Sequence, residues 1–138
     1  MEWVPVCPEV EVGMGVPREP IHLVTHGGDV RLRGVESGQD WTEQMRTWAR
    51  QRIAELDMLD LAGFVLKARS PSCGVRDVRI QSSGTTESGR GLFAAMLVAL
   101  MPNLPVADEE ELRDPALRVS FLTRVSEYHQ RRSIDLPF

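Results

Sequence analysis

The chain has 138 residues and a formal net charge of −4, with 42% hydrophobic and 26% charged residues. These values are ordinary for one globular domain and exclude an intrinsically disordered chain. The acidic balance argues against a partner held through nucleic-acid phosphates, and no run of about eighteen apolar residues or basic-then-apolar leader predicts membrane insertion or export. We therefore expect a cytoplasmic protein that binds neither nucleic acid nor membrane.

The first part of the chain predicts a strand, a loop and a hairpin. The apolar residues 3–6 predict a short strand that leads to Cys7 and Glu9 in a loop rich in glycine and proline. Residues 21–24 and 30–33 then alternate around a His-Gly-Gly-Asp turn. This pattern is typical of a β-hairpin.

The middle of the chain predicts a helix followed by a buried strand. Apolar residues recur at helical spacing over residues 39–59, and Trp41 and Trp48 share this stripe, so we assign both rings to core packing. Residues 62–67 predict a strand that ends at Lys67, the only lysine, for which we favour an ordinary outward-facing position. The strand runs into Ser-, Pro-, Cys- and Gly-containing sequence, and open α/β sheets build their sites at such strand ends.

A segment rich in serine, threonine and glycine, residues 82–91, precedes an apolar helix predicted from 92 to 101. Free backbone amides at the start of that helix, together with Arg90, could bind an anion. The alternative is that Thr86 or Ser88 only caps the helix. The glycine spacing does not match a Walker or dinucleotide-binding motif, so nucleotide binding is not indicated.

The order of the predicted elements indicates an α/β fold. A short strand over residues 104–107 and a helix beginning at Asp114 complete an alternation of strands and helices. Such alternation favours parallel strands covered by helices, so we expect a small three-layer unit with a mostly parallel sheet, plus a β-hairpin and a C-terminal helix. We divide the chain into an α/β domain, residues 1–112, and a helical tail, residues 113–138.

The chain contains two cysteines, Cys7 and Cys73, each in a turn-like segment that contains proline. Without an export signal, cysteines are expected to be reduced thiols, metal ligands or catalytic groups rather than a structural disulfide. Core cysteines usually lie inside periodic apolar segments, so the turn-like surroundings disfavour plain buried thiols. A reversible disulfide between the two is a further alternative.

Four motifs, in this order along the chain, resemble those of one bacterial family. They are Cys7-Pro8-Glu9-Val10, Gly15-Val16-Pro17-Arg18-Glu19-Pro20, Ala68-Arg69-Ser70-Pro71-Ser72-Cys73-Gly74 and Gly89-Arg90-Gly91-Leu92-Phe93-Ala94. The composite, from Glu2 to about Leu112, resembles the family catalogued as domain of unknown function 523, which includes the thiouracil desulfurases. The resemblance implies removal of sulfur from a thiolated pyrimidine or a similar thio-heterocycle, without net redox change.

The resemblance also implies a cofactor, a four-iron four-sulfur cluster held by three cysteines with its fourth iron open to the substrate sulfur. Matched by motif, Cys7 and Cys73 correspond to two metal ligands, Glu9 to a catalytic residue that handles protons, and Ser70 to a catalytic residue lining the substrate site. Family members normally begin with a Cys-Leu-Leu-Gly-like segment that supplies the first cysteine, whereas this sequence begins just before the second motif. We therefore expect a desulfurase-like protein whose cluster is completed by another group or subunit, or has been lost.

Two further hypotheses compete with the enzyme. Arg18, Ser72 and Arg90 are the candidates for substrate binding, and in a clusterless binding or accessory module Arg18, Ser70 and Arg90 would bind a small anionic or heterocyclic ligand. In a plain structural role, an unpaired strand position would be covered by a second copy of the chain, because exposed strand edges favour pairing. We predict a homodimer, which a monomeric elution profile at micromolar concentration would contradict.

Overall fold

The computed structural model describes residues 3–135. The helices of this part of the chain are α1 (Pro8–Glu11), α2 (Thr42–Asp57), α3 (Leu92–Leu100) and α4 (Pro115–Asp135). Its strands are β1 (Ile21–His26), β2 (Asp29–Gly34), β3 (Phe64–Leu66), β4 (Val78–Ser82), β5 (Thr85–Gly89) and β6 (Val106–Asp108). A short 3₁₀ helix, Glu111–Arg113, precedes α4. No helix in the described part is long and apolar enough to cross a membrane.

The strands form a larger sheet of order β2-β1-β4-β5 and a smaller one that pairs β3 with β6. The pairs β1–β4 and β3–β6 are parallel, and the pairs β1–β2 and β4–β5 are antiparallel. The α/β class is confirmed. The prediction of a mostly parallel sheet is wrong for the larger sheet, because two hairpins supply its outer strands and strands joined by a tight turn are antiparallel.

The hairpin β1–β2 is confirmed, and residues 82–91, predicted to lead into a helix, instead contribute to a second hairpin, β4–β5. In the second hairpin, Gly84 has a φ of +76°, the left-handed conformation that a tight turn requires, and the β-branched Thr85 and Thr86 begin the returning strand. Thr86 and Ser88 are therefore strand residues rather than helix caps. The N-cap of α3 is Gly91, and no side chain caps this helix.

One hydrophobic core joins the larger sheet to α2 and α3. Leu23 of β1 and Leu32 of β2 are fully buried, and α2 buries residues at helical spacing, namely Met45, Ala49, Ile53 and Leu56. Phe93 of α3 is also fully buried, and its ring centroid lies 5.3 Å from that of Trp48. Trp41 and Trp48 are half-buried against this cluster, so their assignment to core packing is confirmed.

The N-terminal end of the described chain differs from the predicted pattern, and the C-terminal end agrees with it. Residues 3–7 form no strand, and the single turn of α1 follows Cys7, with Pro8 at its first position. Asp114 accepts hydrogen bonds from the backbone of Ala116 and Leu117 and so begins α4. Phe121 of α4 is buried. The division of the chain at residue 112 stays a prediction.

The smaller sheet has a free edge on β3. This strand pairs with β6 on one side and with no other strand of the described chain. Val65 of β3 is partly exposed, and an apolar groove of about 320 Å³ runs between the N-terminal segment, β3 and α4. An edge of this kind is what the predicted homodimer would cover. The homodimer itself stays a prediction.

Candidate functional site

The carboxyl ends of β3 and β6 meet at one edge of the smaller sheet. The two strands are parallel, with Leu66 opposite Asp108 at their ends. The chain leaves β3 through Lys67 into a loop, residues 68–74, and the Ala68 amide donates to the Glu109 carboxylate at 2.8 Å. This bond ties the start of the loop to the segment after β6. The expectation of a site at the end of this strand therefore has a structural basis.

The loop of residues 68–74 folds around the side chain of Ser70. The Ser70 hydroxyl oxygen accepts hydrogen bonds from the amides of Ser72 and Cys73, each at 3.2 Å, and the Gly74 amide donates to the Ser70 carbonyl at 2.8 Å. Arg69 has a φ of +59°, a conformation that is uncommon outside glycine and reverses the chain here. These contacts fix the Ser70 side chain relative to Cys73.

The start of α3 is hydrogen-bonded to the same loop. The amides of Gly91, Leu92 and Ala94 donate to the carbonyls of Gly74, Pro71 and Ser72 at 2.8, 2.9 and 3.0 Å, respectively. These three amides already donate hydrogen bonds within the protein, so they do not form the anion-binding site predicted at the start of this helix. Gly91 is required by the close approach, because a Cβ there would lie 2.5 Å from the Ser72 carbonyl carbon.

A cavity of about 440 Å³ lies next to the loop, between α1, the segment after it and β3. Part of its wall is apolar and includes Val6, Phe64 and Phe93. The sequence-predicted site residues that line it are Cys7, Glu9, Arg18, Ser70 and Cys73. Segments far apart in the sequence thus bring five candidate residues to one cavity. A chemical site is best sought here, because most ligand pockets combine an apolar wall with a few convergent polar groups.

The two cysteines have different surroundings on the cavity wall. Both are free thiols, and Cys7 is exposed whereas Cys73 is buried. Burial, assisted by the neighbouring Glu9 and Cys7 side chains, raises the pKa of Cys73 to about 12. The protein alone therefore keeps Cys73 protonated at neutral pH. A thiolate at this position needs a cation beside it, which a bound metal would provide.

Glu9 and Arg18 form an ion pair on the cavity wall. The Arg18 Nη2 lies 3.4 Å from the Glu9 Oε1, and the Arg18 Nη1 donates to the Glu19 carbonyl at 3.0 Å. Glu9 is buried, whereas Arg18 is exposed. The pairing compensates for the burial of the Glu9 carboxylate and holds it on the cavity wall.

Two predicted substrate-binding residues, Ser72 and Arg90, do not line the cavity, whereas Lys67, which was not predicted to belong to the site, does. Ser72 is a buried residue of the loop, with its hydroxyl unpaired among the described residues, and Arg90 donates to the Val75 carbonyl at 3.2 Å. Lys67, expected to be an ordinary strand residue, lines the cavity. Its position directly after β3 is the signal that could have found it, since the strand-end argument applies to it as it does to Ser70.

The donor atoms match an iron–sulfur cluster in type but not in number. Two cysteine sulfurs line the cavity, and sulfur ligands of this kind hold such clusters. Within residues 3–135, however, no group of three His, Cys, Asp or Glu side chains could hold a metal ion. The described residues therefore do not complete a cluster site by themselves.

Comparison with known proteins identifies the family of this chain. The family model for 2-thiouracil desulfurase matches residues 1–109. The chain belongs to the 2-thiouracil desulfurase family. The resemblance drawn from the four motifs is thereby confirmed, and the match includes the cavity residues from Cys7 to Cys73.

Two individual proteins are also similar to this chain. The uncharacterized protein YbbK of Bacillus subtilis (strain 168) is 32% identical over 117 residues, which cover 80% of this chain and 76% of the relative. A solved structure described as the [4Fe-4S]-dependent thiouracil desulfidase TudS is 30% identical, with a TM-score of 0.59. That match covers 83% of this chain and 72% of the TudS chain. Both relatives therefore extend beyond the part that matches.

Proposed function

We propose that this chain is a desulfurase-like protein that takes a thiolated pyrimidine or a similar thio-heterocycle into the cavity beside Cys73. The observation that carries the proposal is the convergence of Cys7, Glu9, Arg18, Ser70 and Cys73 on one cavity. A cavity of about 150 Å³ can hold benzene. The space of about 440 Å³ therefore has room for a one-ring heterocycle and further groups.

We also propose that Cys7 and Cys73 supply two thiolates to an iron–sulfur cluster. Support comes from the paired cysteine sulfurs on the cavity wall and from the description of TudS as [4Fe-4S]-dependent. The chain has two cysteines, so the remaining protein ligand would come from outside these 138 residues. When bound, such a cluster supplies a Lewis-acidic iron that suits a sulfur ligand.

The proposed reaction exchanges the sulfur of a carbon–sulfur double bond for the oxygen of water and releases hydrogen sulfide, without net redox change. Water must lose protons in this exchange, and the buried Glu9 carboxylate on the cavity wall is placed to accept one. Ser70 has a complementary role. Its oxygen accepts two amide hydrogen bonds, so its own O–H proton is free to be donated to a substrate atom.

A second candidate function is a clusterless module that binds a small ligand in the same cavity. The specific observation in its favour is the number of metal donors, because no group of three metal-binding side chains converges in the described chain. Under this alternative, the cavity retains its shape and its ion pair Glu9–Arg18 but performs no desulfuration.

Anaerobic reconstitution with iron and sulfide distinguishes the two functions. We would measure iron and sulfide per chain and the broad visible absorption, for the wild type and for Cys73→Ala, and then follow conversion of 2-thiouracil to uracil by chromatography. Cys73-dependent cluster uptake with uracil formation supports the desulfurase. No uptake, together with binding of 2-thiouracil by the untreated protein, supports the clusterless module and contradicts the enzyme.

A further inference from the structure

Lys67 places a positive charge on the cavity wall that the protein does not neutralise. It is the only lysine in the chain and lies directly after β3, exposed and lining the cavity. Among the side chains that the structure describes, none forms an ion pair or a hydrogen bond with the Lys67 ammonium. An ammonium in this position is therefore available to a ligand.

Three nearby arginines differ from Lys67 because each has a carboxylate partner. Arg18, which also lines the cavity, pairs with Glu9. Arg69 of the loop and Arg76, just after it, do not line the cavity and pair with Glu110 and Glu111, respectively. With Glu9 and Arg18 compensating each other, the charged residues of the cavity wall leave one positive charge, that of Lys67. An anion is the ligand that such a wall favours.

The positive charge of Lys67 acts on the Cys73 thiol. Burial raises the pKa of Cys73, whereas the Lys67 backbone N–H and the Lys67 charge both act in the opposite direction. The other titratable groups around Lys67 are Cys7, Glu9 and Arg18 on the cavity wall, together with Glu109, which binds the Ala68 amide. A ligand beside Cys73 would therefore lie within the field of this ammonium.

We propose that Lys67 makes the cavity selective for the anionic form of a thio-heterocycle, the form that has lost its thioamide proton. This inference rests on the proposed function and names the state of its substrate. Thioamide N–H groups in such rings are acidic, and the anion spreads its charge over the ring nitrogen and the exocyclic sulfur. Moving an anion from water into a partly apolar cavity costs free energy unless a cation compensates for it. Lys67 supplies a compact point charge for that purpose.

The test compares two ligands and four proteins by titration calorimetry, without iron or sulfide. The ligands are 2-thiouracil, at a pH above its own pKa, and 1,3-dimethyl-2-thiouracil, which has no N–H to ionise. The proteins are the wild type, Lys67→Gln, Lys67→Arg and the matched control Arg69→Gln, which removes an equal charge two residues away and outside the cavity. The methyl groups add the same bulk for every protein, so a change in the ratio of the two affinities reports the charge.

We expect Lys67→Gln to lower the preference for 2-thiouracil over the dimethylated ligand by about fivefold, the effect of one partly exposed charge pair. Lys67→Arg and Arg69→Gln should keep the wild-type preference. An unchanged ratio in Lys67→Gln, or an equal loss of affinity for both ligands, would overturn the role of Lys67 and leave the proposed function standing. Absence of binding of either ligand to the wild type would overturn both.

Discussion

Gly91 occupies a position where a larger residue cannot fit unless the loop that carries Cys73 moves. A Cβ at this residue would lie 2.5 Å from the Ser72 carbonyl carbon, 2.6 Å from the Ser72 oxygen and 2.8 Å from the Cys73 nitrogen. All three atoms belong to the backbone, so no side-chain rotation relieves the overlap. The backbone of Gly91 itself has a φ of −62°, which any residue adopts, so the effect of Gly91→Ala is steric.

The expected loss of stability can be estimated from these contacts. Ordinary contacts begin at about 3.4 Å, so the loop must move by roughly 0.9 Å, and overpacking of this kind costs about 1–3 kcal/mol. The shift also weakens the hydrogen bonds from Leu92 and Ala94 to the loop, at about 1 kcal/mol each. We expect Gly91→Ala to lower the free energy of unfolding by about 2–4 kcal/mol, which corresponds to a fall in Tm of roughly 8–16 °C for a domain of this size.

Thermal and urea unfolding measure this loss, and alkylation of Cys73 under native conditions measures the position of the loop. The control is Gly84→Ala, which meets no atom within 4 Å but has a φ of +76°, and should cost about 1–2 kcal/mol without exposing Cys73. Faster alkylation of Cys73 in Gly91→Ala alone would support the reasoning. If Gly91→Ala unfolds within about 1 kcal/mol of the wild type and Cys73 stays protected, the close packing of loop and helix is not as described.

Two other predictions concern the site, and a third concerns the free edge of β3. The folded pKa of Cys73 is raised to about 12 from 9.0, so the wild type should lose stability as pH rises from 9 to 12, by about 2 kcal/mol at pH 10.5. Cys73→Ala should not show this loss, and urea unfolding of both proteins at pH 8 and 10.5 checks the difference. Glu9→Gln should lower the rate of uracil formation by about 10²–10⁴-fold. It should reduce the free energy of unfolding by about 1 kcal/mol or less, because its partner Arg18 is solvent-exposed. A loss of stability with an unchanged rate would refute the catalytic role. Light scattering should report the mass of a homodimer at micromolar concentration, and the mass of one chain would refute it.

Local pattern was sufficient for most of the elements and insufficient for β5. The hydrophobic period predicted α2, and the Gly27-Gly28 turn predicted the β1–β2 hairpin. All five residues of β5 are less than fully buried, with four exposed, so the strand carries no alternation of apolar and polar residues. The strand instead forms by pairing with β4 across the two residues Ser83 and Gly84, so the turn was a better local signal for it than hydrophobicity.

Proximity in sequence was also a poor guide to the site beyond its central residues. Ser72 belongs to the same motif as Ser70 and Cys73, and Arg90 belongs to the fourth motif, yet neither lines the cavity, and Arg90 instead donates to the Val75 carbonyl. Lys67 lies outside the residues singled out for the site and nevertheless lines the cavity. A strand end has two faces, and only the elements packed around it decide which of them borders a cavity.

The sequence by itself determined the family, the α/β class and the residue types available for chemistry, because motifs, periodicity and turn residues are local properties of the chain. The tertiary structure decided which of these residues meet. Cys7 and Cys73 lie sixty-six positions apart and reach one cavity because the segment that begins α1 and the loop after β3 both border it. The unpaired charge of Lys67 was likewise decided by the fold, because whether a carboxylate of the described chain pairs with it depends on all the surrounding segments together.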